Sequence, residues 1–308
     1  MVRVAIAGGT GGVGRTILEV LNTSSDHQAY VLSRQPSNSP NTLTVDYSNI
    51  PELTSTLETN QIHTVISAFA VAGDSLATSQ LNLIEAAIQS KTTERFIPSG
   101  YAIPYPEQSL KVLPQLKDYF KAIEILRASR LQWTIFVNGI FLDYFGPPTL
   151  RSYLKPNVFV VDLESRVAAI PGDGNVPVTF TYTFDLARFV VAALDLPEWP
   201  EESRVVGDEL TWNEFVGPAE SILGTKFTIH HDSVEKLQRF EVTELPGHRA
   251  LYKHFPRKAF QWFMATFELF TTDGSSRIMR EGALNERFPE IHTLTVKELL
   301  ERYWQKRE

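Results

Sequence analysis

The sequence predicts an α/β protein in which helices cover both faces of a doubly wound parallel sheet, followed by a smaller, partly interleaved C-terminal lobe. Three observations lead there. Short β-rich apolar runs alternate with segments whose apolar residues recur every three or four positions, the pattern of a parallel sheet between amphipathic helices. A glycine-rich stretch, Gly8-Gly-Thr-Gly-Gly-Val-Gly14, joins the first such run to the first helical segment. After Phe145 the alternation changes character, beginning with Pro147 and Pro148.

Taken in order, strands are expected at Arg3 to Ala7, Ala29 to Ser33, Thr42 to Val45, Thr64 to Ala68, Arg95 to Pro98 and Trp133 to Val137. Six such runs make a Rossmann-like sheet. Helices are expected between them at Val13 to Asn22, Pro51 to Thr59, Ser75 to Ser90 and Val112 to Ser129. The division drawn from this is 1–145 for the nucleotide-binding domain and 146–308 for a substrate lobe, with about 167–207 returning to the first domain. In the second part Pro171-Gly-Asp-Gly-Asn175 is a turn cluster, and Asp185 is expected to cap a helix running to Leu194. A strand at Ser203 to Val206, a helix at Trp212 to Leu223, a strand at Lys226 to His230 and a helix at Ser233 to Phe240 follow. Phe260, Phe263, Met264, Phe267 and Phe270 share a helical face that suits either core or an apolar lid over a substrate.

Composition removes several functions. With 29 Lys plus Arg against 36 Asp plus Glu, the net charge of -7 opposes a phosphate backbone, and no basic run offsets it, so direct nucleic-acid binding is not expected. The absence of cysteine excludes disulfides, thiolate metal sites and a cysteine nucleophile. The seven histidines show no metal spacing. The amino terminus enters a strand without the segments of a secretory signal, and Phe260 to Phe270 falls short of the ~20 residues that span a bilayer. The expectation is a cytoplasmic protein, free of membrane, that handles a small molecule.

The glycine loop says which kind. Gly8 allows a sharp turn out of the strand, Gly11 removes the Cβ that would obstruct a pyrophosphate, and Gly14 lets helix and strand pack closely. Thr10, Gly12 and Val13 complete the loop, and unpaired amides at the helix start face the phosphates with the helix dipole behind them. An NAD-specific fold ends its second strand in an acidic residue; this strand ends in Ser33-Arg34, and a guanidinium there suits a 2′-phosphate. NADP(H) is therefore the expected cofactor.

These residues, together with Val45-Asp-Tyr47, Phe96-Ile-Pro-Ser-Gly100, Leu131 to Phe141, Gly172-Asp-Gly174 and Asp185-Leu-Ala-Arg188, resemble the NmrA-like and isoflavone-reductase-like group of atypical short-chain dehydrogenases. The similarity covers most of the chain. It implies that Ser67, Ala68 and Phe69 lie along the cofactor, and that Pro98, Ser99, Asn138, Gly139 and Phe141 line its nicotinamide end. Position supports the strand-end residues independently, since ligands of open α/β sheets bind there, although Ser67 and Ser99 also suit capping.

Reductases of this group carry a lysine on the helix after the fifth strand, and this sequence aligns Tyr119 with it. Lys117 and Lys121 flank that position, but a two-residue step turns a helix by roughly 200°. Either a shifted helix start brings Lys121 to the cofactor, or Tyr119 donates the proton with its pKa lowered by neighbours, or Lys117, Lys121 and Glu124 are a solvated face opposite a stripe of Leu116, Phe120 and Ile123. The leading expectation is an NADPH-dependent reductase of an apolar, secondary-metabolite or phenylpropanoid-like molecule. The rivals are a non-catalytic NADP-binding regulator with a protein partner and a redox-neutral enzyme on the same fold.

Overall fold

The computed structural model describes residues 1–23, 27–70 and 75–305. The chain forms two compact units, the first from Met1–Tyr101, Pro106–Val137 and Leu186–Arg204, the second from Ala102–Tyr105, Asn138–Asp185 and Val205 onward. The first unit thus extends to Val137 with 102–105 given over to the second, and takes back 186–204.

The first unit is built on β1 (Arg3–Ala7), α1 (Gly12–Thr23), β2 (Gln28–Ser33), β3 (Thr42–Thr44), α2 (Ile50–Thr59), β4 (Thr64–Ser67), α3 (Leu81–Gln89), β5 (Arg95–Ile97), α4 (Lys117–Arg127) and β6 (Gln132–Trp133). Its six strands lie in the order β3-β2-β1-β4-β5-β6, and every pair is parallel. Val4, Ala5, Ile6 and Ala7 of the central strand are completely buried, as apolar residues covered on both faces must be. Chain order reverses between β1 and β4, the point beyond whose carboxyl ends open α/β sheets bind their ligands.

Three elements depart from the sequence expectation. The last run is split at Thr134: β6 pairs with β5, whereas β7 (Ile135–Val137) pairs with the returning strand Glu202–Arg204. The Arg95 guanidinium holds that return in place by donating to the carbonyls of Leu194, Leu196 and Pro197 while lying 4.8 Å from the Trp199 ring. The helix expected from Val112 is delayed to Lys117, because Pro114 lacks an N–H and forces Leu113 out of the helical region, leaving only short 3-10 turns before α4. The buried stripe of α4 is Tyr119, Ala122 and Leu126; Phe120 and Ile123 are only partly covered, so the expected helical face is corrected by its rotation. Finally, the segment from Ser75 opens with a π-helical turn, Leu76–Gln80, before α3.

The second unit contains two three-stranded sheets. Strand Val178–Thr181 lies between Ile140–Phe141 and Asp208–Leu210, and strand Val167–Pro171 lies between Val161–Asp162 and Thr228–Asp232. Helix Trp212–Leu223 starts with a capping box of Thr211 and Glu214, and Trp212 and Phe215 pack with Phe145 and Phe180, the tightest ring pair being 4.8 Å apart. On helix Arg257–Leu269 Phe260 and Met264 are buried, and Phe263 and Phe267 partly so, which makes this stripe mainly core. Asp185 does not cap its helix: Thr183–Ala193 begins before it, and its carboxylate accepts from the Leu294 amide at 2.6 Å.

Glu268 also lies in this core, fully buried, with Oε2 lacking a hydrogen-bond partner. Burial first, and then the negative charge of Asp232, push its carboxyl well above the usual range against the opposing pull of Lys236. The folded state therefore holds this proton more tightly than the unfolded chain does. Its contribution to stability is complete below the unfolded pKa of about 4.3 and is lost as the pH rises through the raised folded value. Glu268→Gln is expected to stabilise the protein at pH 7 by about 1–3 kcal/mol and to flatten the pH dependence of its unfolding midpoint above pH 5. Denaturant titration at pH 5 and pH 8 checks this; equal midpoint differences at the two pH values count against a buried, protonated acid.

Candidate coenzyme-binding site

Four chain segments converge at the carboxyl end of the parallel sheet of the first unit. The first is the glycine loop. Gly8 takes φ +81°, and a Cβ there would stand 2.5 Å from the Ala68 carbonyl oxygen. A Cβ on Gly14 would press on the Gly8 carbonyl and lie 3.0 Å from the Ala68 Cβ, so helix and strand need glycine at both places. Around Gly11 no atom lies within 4 Å of a would-be Cβ, and Thr10 and Gly11 are exposed. The loop closes through Gly11 N–H to Gly8 O at 3.3 Å and Arg15 N–H to Gly11 O at 3.1 Å. Gly12 opens α1, and Val13 is half-buried in its first turn. Open space at Gly11 beside the start of a 12-residue helix leaves room for a diphosphate at its amides, so the loop fits a dinucleotide.

The second segment is the end of β2. Arg34 is exposed, and its positive charge reaches the buried phenol of Tyr47. Ser33 Oγ donates to the Gln35 carbonyl and accepts from the Gln35 amide, so this hydroxyl shapes the turn that carries Arg34. Tyr47 donates to the Leu32 carbonyl at 3.1 Å and meets the Phe69 ring edge-on at 5.2 Å.

The third and fourth segments leave β4 and β5. Ser67 and Ser99 are buried with their hydroxyls 2.8 Å apart, and Ser99 Oγ also accepts from the Phe69 amide at 2.8 Å. Pro98 is buried beside them. At Gly100 a Cβ would meet Ile135 and come 3.5 Å from the Tyr119 ring, which places Tyr119 against the exit of β5. Burial, with a smaller contribution from Glu202, pushes the Tyr119 phenol above its ordinary value; the neighbours do not lower it, contrary to the condition set from sequence. Lys121 is exposed, away from the stripe that carries Tyr119.

Asn138, Gly139 and Phe141 belong to the second unit. The amides of Asn138 and Gly139 both donate to the Ala102 carbonyl, at 2.8 and 3.1 Å, and Asn138 Oδ1 is buried with no partner. Phe141 pairs with Thr181 and meets the Tyr144 ring at 6.2 Å. Two groups of the first unit escaped the sequence reading: Gln80, fully buried between Ser67 and Ser99, and Tyr101, whose buried hydroxyl has no partner. No local signal in the sequence marks the first, whose partners lie at the ends of two strands. For the second, a tyrosine just past the β5 exit reads as core until its hydroxyl is counted.

Comparison with known proteins agrees with this geometry. Residues 8–157 match the NAD(P)H-binding family. An oxidoreductase of Botryotinia fuckeliana is 37% identical over 298 residues, covering 94% of this chain and 96% of that protein. A phenylcoumaran benzylic ether reductase of Nicotiana tabacum is 24% identical over 266 residues, covering 79% of this chain and 82% of its own length. The structure of a leucoanthocyanidin reductase from Vitis vinifera in complex with NADPH superposes with a TM-score of 0.76 at 18% identity, over 99% of this chain and 100% of that one. Its fold is that of the isoflavone-reductase-like enzymes, and the chain belongs to the NAD(P)H-binding oxidoreductases.

Proposed function

We propose that the protein is an NADPH-dependent reductase of an apolar small molecule. The observation that carries this reading is Arg34 at the end of β2, where a strand serving NAD ends in a carboxylate. Gly8, Thr10, Gly11, Gly12, Val13 and Gly14 hold the diphosphate through backbone amides, and Ser33 fixes the turn from which Arg34 bonds the 2′-phosphate. Ala68 and Phe69 form the floor of the coenzyme cleft, and Ser67, Pro98 and Ser99 continue it toward the nicotinamide. When bound, the reduced nicotinamide supplies a hydride. Tyr119 keeps its proton and donates a hydrogen bond to the charge that develops on the substrate. Relatives named for phenylcoumaran benzylic ether and leucoanthocyanidin suggest an aromatic, oxygen-bearing substrate class.

Arg34→Ala is expected to raise the Kd for NADPH by tenfold or more, one to two charged hydrogen bonds at about 1.5–3 kcal/mol each, while the Kd for NADH stays within about twofold. Fluorescence titration of both coenzymes measures this, and equal losses refute the assignment of the 2′-phosphate to Arg34. Incubating the protein with NADPH and a metabolite extract, with reduced-nicotinamide absorbance and product masses followed together, tests reduction itself. Tight coenzyme binding without turnover would favour a regulator instead.

A further inference from the structure

The hydrogen bonds around Ser67 and Ser99 have a fixed direction. A backbone amide only donates, so the 2.8 Å contact from Ser99 N identifies the Gln80 side-chain atom it meets as Oε1. Ser67 Oγ lies 2.8 Å from the same Oε1 and must spend its proton there. Ser99 Oγ accepts from Phe69 N, and its own proton therefore goes to Ser67 Oγ. The result is a one-way chain, Phe69 N–H to Ser99 to Ser67 to Gln80, closed by the Ser99 amide. Every member except the partly covered Phe69 is buried. One acceptor oxygen thus ties the exit of β4 to the exit of β5.

That tie bears on the coenzyme cleft because the β4 exit touches the glycine loop. The Ala68 carbonyl closes over Gly8, and the Ala68 Cβ lies against Gly14. A shift of a few tenths of an ångström in Ala68 would be felt by both glycines. The other half of the Gln80 amide contributes nothing to holding the strands, since Nε2 is buried without a partner. A side chain selected only for stability would not leave two N–H groups in that state.

We propose that Gln80 is a positioning residue for the bound dinucleotide: its Oε1 sets the β4 and β5 exits at the separation the diphosphate and nicotinamide half requires. The inference rests on the NADPH reading above. Strand order puts this tie on the β4–β5 side of the reversal point and Arg34 on the opposite, β2 side. The two halves of the coenzyme are thereby separable by experiment. NADPH probes the whole cleft, and 2′,5′-ADP, which lacks the nicotinamide half and its phosphate, probes the Arg34 side.

Gln80→Leu is expected to weaken NADPH binding at least tenfold and 2′,5′-ADP binding less than threefold. Gln80→Glu keeps an acceptor oxygen but puts a carboxyl where the unpartnered amide nitrogen was; measured at pH 6, where burial favours the neutral carboxyl, it is expected to restore NADPH binding to within threefold of the unmodified protein. Should Gln80→Leu fail to fold, Ser67→Ala removes a single link of the chain and should show the same asymmetry. Equal weakening of both ligands, no weakening of either, or Gln80→Glu as damaging as Gln80→Leu overturns the proposal. Failure of the unmodified protein to bind NADPH is a separate result that removes the coenzyme reading and this inference with it.

Discussion

Gly14→Ala is expected to lower both coenzyme affinity and stability, whereas Gly11→Ala should lower affinity alone. At Gly14 the new methyl collides with backbone, standing 2.8 Å from the Gly8 carbonyl carbon and 3.0 Å from the Ala68 Cβ. Neither neighbour is the movable tip of a side chain, so α1 must back away from β1, at an overpacking cost of about 1–3 kcal/mol. That retreat also turns the first amides of α1 off the diphosphate, and a loss of NADPH affinity of about 100-fold or more follows from two misdirected charged hydrogen bonds. At Gly11 the methyl enters open space, and the apo protein should not notice it. The same methyl occupies the approach of the pyrophosphate. Thermal unfolding without ligand, set beside NADPH titration, separates the two cases; a Gly11→Ala protein that binds NADPH normally would show that the diphosphate lies elsewhere.

Tyr119→Phe is expected to reduce kcat by about 10²–10³ with NADPH affinity nearly unchanged, and Lys121→Met to leave both alone. The two residues lie on the same helix but not on the same face: Tyr119 is buried against the exit of β5, and Lys121 is exposed. Because burial raises the Tyr119 phenol, its neutral form persists further into alkali than that of a free tyrosine, whose pKa is about 10. The sign of the pH effect follows. Activity that depends on this hydroxyl should show no alkaline decline near pH 10, where a free phenol ionises. Turnover of a substrate identified in the extract screen, measured against pH for both variants, decides; a large loss in Lys121→Met would overturn the assignment.

The parallel sheet was readable because its central strands are covered on both faces and carry nearly unbroken apolar runs. The glycine loop was readable because its spacing answers a local steric demand. What could not be read depends on distant partners. The break at Thr134 exists because Glu202–Arg204 returns to pair with β7, about 67 positions further along. The rotation of α4 follows from Pro114 displacing the helix start, after which Tyr119 rather than Phe120 falls on the buried side. Among the residues proposed for the coenzyme, Arg34 was accessible as a strand-end cation, but Gln80 was not, since its partners are two serines on other strands.

The way Arg95 grips three carbonyls of the returning segment limits how the protein can be taken apart and how it is made. A polypeptide released after Val137 would have β7 as a bare margin and a guanidinium robbed of its acceptors, an invitation to aggregation rather than an independent nucleotide binder. During synthesis the coenzyme-binding half cannot finish until residue 204 leaves the ribosome, a wait of several seconds at about 5–20 residues per second. Throughout that interval the margin of β7 has no strand to pair with.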